Sequence, residues 1–297
     1  MSLFRGLSAF PLTPANNQGR INSNQLGSLL ARLVAAKVDS IGLLGSTGGY
    51  AYLNRSQRAD AIAIAVDHAK GRVPIIAGVG ALRTDDAIDH ALDAAQNGAD
   101  GLLLAPVSYT PLTEQEVAQH FIAVAGATDL PLCIYNNPST THFNFSLELL
   151  QHLSHVDTIS AVKMPLPQSI DLEAELAQLR DGLPADFSIG YSGDWGCASA
   201  LLAGADNWFS VIGGLLPEPS MKLAAAAQNG DAAEVQRIND CFQPLWALFQ
   251  EFGSLRVVYA AAKLLELTDA KPHLPLLPLG AADDNRVLAA LETLEKI

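Results

Sequence analysis

A closed (β/α)8 barrel with a helical extension at its C-terminal end is the fold this sequence predicts, and two observations predict it. Short apolar runs ending in Gly, Pro, Ser or Asn alternate with amphipathic stretches of 3.6-residue spacing, a βα rhythm. Eight such units follow in series, whereas an open doubly wound sheet usually has fewer strands and a crevice where strand order reverses.

In chain order, the strand pattern Gly6–Leu12 precedes the helical pattern Asn22–Lys37, and Ser40–Leu44 precedes Arg55–Lys70. Val73–Val79 precedes Thr84–Asn97, which Asn97 and Gly98 close. Gly101–Ala105 precedes Thr113–Ala127, opened by the Ser/Thr-x-x-Glu capping box of Thr113 and Glu116. Leu130–Tyr135 precedes Ser146–Ser154, Thr158–Lys163 precedes Ser169–Leu179, and Phe187–Tyr191 precedes Trp195–Ala203. The eighth run, Trp208–Ile212, leads into Glu218–Asn229. Beyond it, Asp231–Phe252, Ser254–Leu267 and Ala282–Glu295 read as three more helices, with the Pro-rich Lys271–Leu279 between the last two. This predicts a catalytic barrel over 1–228 and a helical subdomain or oligomer surface over 229–297.

With 49% apolar and 16% charged residues, the chain can bury a sizeable core and is not disordered. A net charge of −13 and the absence of a Lys/Arg cluster exclude a nucleic-acid partner. The apolar runs fall far short of a membrane span of about 20 residues. Met1 to Phe10 holds one Arg and no export signal, and Cys133, Cys197 and Cys241 are too widely spaced for a disulfide framework or zinc knuckle, so a reducing cytoplasm is expected. The histidines (His68, His90, His120, His142, His152, His155, His273) form no HxH or HExxH spacing, so no metal is expected.

Barrel chemistry sits at the C-terminal ends of strands, so the last residue of each apolar run and the loop after it are the places to search. Lys163 ends the run Thr158 to Lys163 and is the only lysine between Lys70 and Lys222. A partly desolvated amine there can attack a carbonyl carbon. The same position also suits a lysine that closes the strand or meets a carboxylate at the rim, although Met164-Pro165-Leu166-Pro167 offers no local partner. Tyr135 ends the preceding strand, so its phenol should stand beside Lys163, either to move protons or to cap a wet barrel top. Gly45-Ser46-Thr47-Gly48-Gly49 follows the second strand; its N–H groups and hydroxyls suit a carboxylate, and it also fits an ordinary βα turn. Ser192-Gly193-Asp194 follows the seventh, with Asp194 read as the N-cap of the next helix.

These segments, in this order and on these strands, resemble the dihydrodipicolinate synthase / N-acetylneuraminate lyase family of Schiff-base barrel enzymes. The resemblance runs from about Leu3 to Glu295 and includes Phe10-Pro-Leu-Thr-Pro14, the loop at 45–48, Val73-Pro-Ile-Ile-Ala-Gly78, Tyr135-Asn-Asn-Pro138, Val162-Lys163 and Ser192-Gly-Asp194. It implies Lys163 as the Schiff-base lysine, Tyr135 as proton shuttle and Ser46, Thr47 and Gly48 as the carboxylate cradle. It also implies an apolar Phe209 beside bound pyruvate, no cofactor, and a homotetramer, with a dimer as the alternative.

Three departures bear on the reaction. Where family members carry an Arg after the Asn-x-Pro-Ser segment, to grip the second substrate, this chain has Thr140, and a hydroxyl does not replace a bidentate guanidinium. Gly49 stands where the loop usually ends in Glu. Val107-Ser108 replaces an aromatic pair, leaving Ser108 or Tyr109 as stand-ins for the relay tyrosine. The resulting expectation is a lyase or aldolase that joins a 2-oxo acid such as pyruvate to an aldehyde, or releases it from one. The alternatives are a 4-hydroxy-tetrahydrodipicolinate synthase of lysine biosynthesis and a non-catalytic barrel that binds oxo acids or sugar acids.

Overall fold

The computed structural model describes residues 3–168 and 171–297. Eight strands form one closed barrel in sequence order: β1 (Gly6–Ala9), β2 (Ser40–Leu43), β3 (Ile75–Gly78), β4 (Gly101–Leu104), β5 (Leu132–Tyr135), β6 (Ile159–Met164), β7 (Ser188–Tyr191) and β8 (Asn207–Ser210). All pairings are parallel, and β1 meets β8 with Gly6 to Ala9 against Asn207 to Ser210. The (β/α)8 expectation holds.

The intervening helices are α1 (Ser23–Ala36), α2 (Arg55–Ala69), α3 (Thr84–Gln96), α4 (Glu114–Ala125), the one-turn α5 (Pro138–Thr141), α6 (Leu147–Leu153), α7 (Leu172–Gly182) and α8 (Asp194–Leu202). After β8 come α9 (Pro217–Gln228), α10 (Ala232–Phe252), α11 (Ser254–Leu264) and α12 (Ala281–Glu292). The capping box at α4 is present, Thr113 N–H donating to Glu116 Oε2 at 2.7 Å and Glu116 N–H to Thr113 Oγ1 at 3.3 Å.

Several boundaries differ from the sequence reading for local reasons. β1 stops at Ala9, short of Leu12, because Pro11 has no N–H to donate, and β3 begins after Pro74 rather than at Val73. β6 runs one residue past Lys163, to Met164. α7 was expected from Ser169, which lies outside the described residues; the helix begins at Leu172, with the Asp171 side chain accepting from the N–H groups of Glu173 and Ala174. α11 ends at Leu264 rather than Leu267, since Glu266 takes a left-handed φ of 56°.

Strand residues alternate between two cores. Phe4, Phe10, Ile76, Leu103, Cys133, Tyr135, Ala161 and Phe209 fill the barrel interior, while a larger shell of aliphatic residues lies between strands and helices. That shell continues into α10, where Trp246 stacks on Phe242 at 4.7 Å between ring centroids.

The turn after β2 is strained. Leu44 adopts φ of 57°, which costs a non-glycine residue free energy and survives only where the surroundings hold it. Two glycines do so: a Cβ on Gly78 would lie 2.0 Å from the Leu44 carbonyl oxygen, and one on Gly48 would lie 3.0 Å from Leu44 Cα. We expect Gly78→Ala to lower the thermal midpoint, at a cost of about 3 kcal/mol from overpacking against backbone that cannot yield. Gly280→Ala, with nothing within 4 Å of its Cβ position, is the control. Equal melting of the two variants would refute the account of the turn.

Candidate active site

A cavity of about 580 Å³ opens at the C-terminal ends of the strands, where barrel enzymes place their chemistry. Register explains what faces it. Tyr135 on β5 is the Cα partner of Lys163 on β6, and both belong to the inward set of alternating positions. Lys163 is 4% exposed, and its Nζ lies 3.9 Å from the Tyr135 ring centroid and 4.6 Å from that of Phe10. Among the described residues it makes no ion pair, so the carboxylate partner considered for it is not found.

The Tyr135 hydroxyl accepts a hydrogen bond from Asn137 Nδ2 at 3.0 Å and lies 3.3 Å from Ser46 Oγ, each hydroxyl able to donate to the other. Ser46 thus reaches the phenol as well as open cavity, and the buried Thr47 lines the same space. Gly48 does not line the cavity; it packs on Leu44 and Thr13 and lets the loop turn tightly enough to present its two neighbours. Phe209 sits in the barrel interior, 5.8 Å from Lys163 Nζ and edge-on to Phe10 at 6.1 Å. Thr140 lines the rim, with its hydroxyl donating to the Asn137 carbonyl at 3.3 Å inside the α5 turn.

The departures have physical causes. Gly49 has φ of 67°, and a Cβ there would meet His273 Cδ2 at 2.6 Å, so a Glu at this position is blocked twice over. Neither Ser108 nor Tyr109 of this chain enters the cavity: Ser108 donates to the Thr110 carbonyl, and Tyr109 is 96% exposed. Two tyrosines besides Tyr135 do line it, Tyr50 and Tyr52, and sequence reading missed both although they directly follow the glycine loop; Tyr50 is the more buried of the two. Burial pushes the Tyr50 phenol up to about 12, helped by the nearby Tyr135 and opposed by Arg58, whose guanidinium lies 5.4 Å from the Tyr50 ring centroid. Arg58 itself is buried and donates to the carbonyls of Gly78 at 2.9 Å and Gly80 at 3.1 Å; burial pulls it down to about 10.

Asp194 corrects another expectation. Gly193, with φ of 95°, occupies the cap, and Asp194 is the first residue of α8. Its side chain turns inward to accept from Trp208 Nε1 at 2.9 Å, from Ile212 N–H at 2.8 Å and from Val211 N–H at 3.3 Å, tying α8 to the loop after β8. Burial, the largest influence, raises this carboxyl from 3.8 to about 6, against the lowering by those donors and by Lys163. Because the folded protein then holds the proton across that interval and the unfolded chain does not, Asp194 makes stability fall as pH rises from 3.8 to about 6, with no further change above. Denaturant melts of wild type and Asp194→Asn across that interval should show the wild type losing stability relative to the variant; parallel curves would contradict the assignment.

Among the described residues, no group of three or more His, Cys, Asp or Glu side chains is placed to hold a metal ion, and no helix is long and apolar enough to cross a membrane. The three cysteines are free, and burial pushes the Cys133 and Cys197 thiols up.

A parallel eight-stranded barrel with a buried lysine, a hydrogen-bonded tyrosine and a Gly/Ser/Thr loop converging on one cavity defines a Schiff-base lyase that acts on small 2-oxo acids. The chain belongs to the dihydrodipicolinate synthetase family, whose model matches residues 3–294. A 4-hydroxy-tetrahydrodipicolinate synthase from Aromatoleum aromaticum is 32% identical over 281 residues, 94% of each chain. The crystal structure of dihydrodipicolinate synthase from Agrobacterium tumefaciens superposes with a TM-score of 0.97 at 58% identity, covering 98% of each chain. A chloride-inhibited dihydrodipicolinate synthase from Acinetobacter baumannii, solved in complex with pyruvate, gives 0.91 at 26% identity over 100% of both chains.

Proposed function

We propose that Lys163 forms an imine with pyruvate or a related 2-oxo acid and that the enzyme joins this to an aldehyde, or runs the same steps in reverse. The observation that carries the reading is a buried amine without a carboxylate partner, lying on the face of a tyrosine whose hydroxyl is held by two neighbours. The neutral amine attacks the C2 carbonyl, and the carbinolamine loses water to give a protonated imine. This nitrogen withdraws electrons from C3, which gives up a proton and becomes the enamine carbon. That carbon attacks the aldehyde, the former aldehyde oxygen takes a proton, and water releases a 4-hydroxy-2-oxo acid. The imine is itself the electron sink, so the steps need neither metal nor organic cofactor.

In this reading the Tyr135 phenol moves the protons and Asn137 orients it. Ser46 and Thr47 hold the pyruvate carboxylate, with Gly48 shaping their loop. Phe10 forms the apolar floor with Phe209 packed behind it, and Thr140 faces the aldehyde end. Borohydride added with pyruvate should leave a reduced adduct on the peptide that contains Lys163; a folded protein that takes up none would remove the reading.

The names of the curated relatives favour a second reading, 4-hydroxy-tetrahydrodipicolinate synthase, in which the aldehyde is aspartate semialdehyde. Thr140 in place of the family arginine weighs against it. Condensation of that aldehyde with pyruvate, followed through a coupled reductase, together with rescue of a lysine auxotroph, decides between the two.

We further propose a cytoplasmic homotetramer, with the dimer as alternative, in which 229–297 is a helical subdomain roofing the 1–228 barrel. The exposure of Leu82 and Tyr109 near the barrel mouth, and the α10–α11 residues along the cavity, support it. Sedimentation equilibrium reads the assembly.

A further inference from the structure

We propose that Arg256, together with the open N-terminus of α11, grips an anionic group at the far end of the aldehyde, so that the second substrate is an aldehyde acid. The inference rests on the imine reading of Lys163 and supplies what Thr140 lacks.

The junction between α10 and α11 lies against the cavity. Gly253, Ser254, Leu255 and Arg256 all line it, as does Lys163. Gly253 takes φ of 81° and ψ of 135°, turning the chain sharply between the two helices, and offers no side chain to cap the eleven-residue α11. The first N–H of that helix to find a backbone acceptor is that of Val257, to the Gly253 carbonyl at 3.5 Å; among the described residues, those of Ser254, Leu255 and Arg256 find none. Uncapped first-turn N–H groups and the positive end of the helix dipole attract an anion.

Arg256 adds a full charge to the same spot. Its one hydrogen bond is from Nη1 to the Phe252 carbonyl at 3.2 Å, and among the described residues it meets no carboxylate. Arg5, Arg55, Arg83, Arg180, Arg237 and Arg286 each do meet one, while Arg20, Arg32, Arg58 and Arg72, like Arg256, meet none among the described residues; of these five, Arg256 is the one that lines the cavity. A half-buried guanidinium without an acid, with Nη1 on the Phe252 carbonyl, keeps Nε and Nη2 as charged donors for a ligand.

The cavity thus brings Arg256 and the α11 N-terminus into the same space as Lys163, the buried, unpartnered amine where the 2-oxo acid is bound. Among the described residues, the one carboxylate along the wall, Asp194, is already taken by Trp208, Val211 and Ile212. A volume of about 580 Å³ has room for the imine and a second molecule of several carbons. An aldehyde with its carbonyl at the enamine carbon and a carboxylate a few bonds away brings an anion into the cavity that Arg256 lines. An aldehyde phosphate shares the anion chemistry and forms the second arm of the test.

The probes are 4-oxobutanoate and its methyl ester, offered with pyruvate, with glycolaldehyde phosphate against glycolaldehyde as the second pair. Wild type should prefer the acid over the ester in kcat/KM. Arg256→Met should shrink that preference by about 10- to 100-fold, the worth of one charge-assisted contact, with the loss in KM for the acid. Arg256→Lys should recover part of it as a point charge. Preference for the phosphate over the carboxylate would keep the anion site and change its ligand. Wild type that uses acid and ester equally, or uses neither, would overturn the inference, as would a folded Arg256→Met whose preference is intact while pyruvate is still trapped on Lys163. Loss of trapping in wild type would overturn the imine reading and this one together.

Discussion

Lys163→Met abolishes turnover, by about 10⁴-fold or more, because a covalent mechanism stripped of its nucleophile has no second route to the imine. The same variant should melt no lower than wild type. Lys163 lies in an apolar surround between the Tyr135 and Phe10 rings and is bound to no carboxylate, so replacing it with an uncharged chain of similar length leaves no orphaned partner behind. Replacement of buried charge by packed apolar groups is often neutral or stabilising. The pairing of outcomes separates the functional from the architectural account. A lysine that served to close β6 would cost stability when removed and leave activity broadly in place. Steady-state kinetics, borohydride trapping and a thermal melt on one preparation read all three quantities. Residual activity within about tenfold of wild type is too much for a lost nucleophile and would end the covalent mechanism.

What could be read from the sequence follows from how local each determinant is. The barrel was legible because eight buried strands and their covering helices each carry a periodicity within a single short window. Lys163 and Tyr135 were legible for the same reason: each stands at or next to the end of an apolar run, and neighbouring strands in a parallel barrel bring such ends to one height. The groups that were missed are defined by contacts across the fold. Asn137 lay inside a recognised segment, yet its bond to Tyr135 depends on the α5 turn. Tyr50 follows a glycine whose left-handed conformation swings the chain toward the cavity. Asp194 reads in sequence as a helix cap and is captured instead by donors from β8 and the loop beyond it. Arg256 is about ninety residues beyond Lys163, in a helix whose periodicity reports its packing on the shell and says nothing of which residues its first turn offers to the barrel mouth.

Tyr135→Phe should lower kcat by about 10² to 10⁴, the range typical of losing a positioned general acid–base group. The substitution is confined to one oxygen. The ring keeps its place 3.9 Å from Lys163 Nζ, and the inward packing against Phe10 and Phe209 is unchanged. What is lost is the acceptor for Asn137 Nδ2 and the partner of Ser46 Oγ, both on the cavity side where either can turn to water. Stability should therefore change little, and pyruvate should still be trapped by borohydride, though more slowly, since attack by the amine does not itself require the phenol while loss of water from the carbinolamine does. Exchange of the pyruvate methyl protons in deuterated water isolates the enamine step without any aldehyde present, and it should slow in proportion to kcat. Ser46→Ala should reproduce a smaller part of the same defect, because it removes one hydrogen bond from the phenol and leaves the phenol in place. If methyl exchange in Tyr135→Phe stays within about threefold of wild type, far less than a lost acid–base group costs, the hydroxyl is only a polar tip on a wet rim. Proton transfer would then have to run through another group on the cavity wall, and Tyr50 and Tyr52, the other phenols lining it, are the residues to replace next.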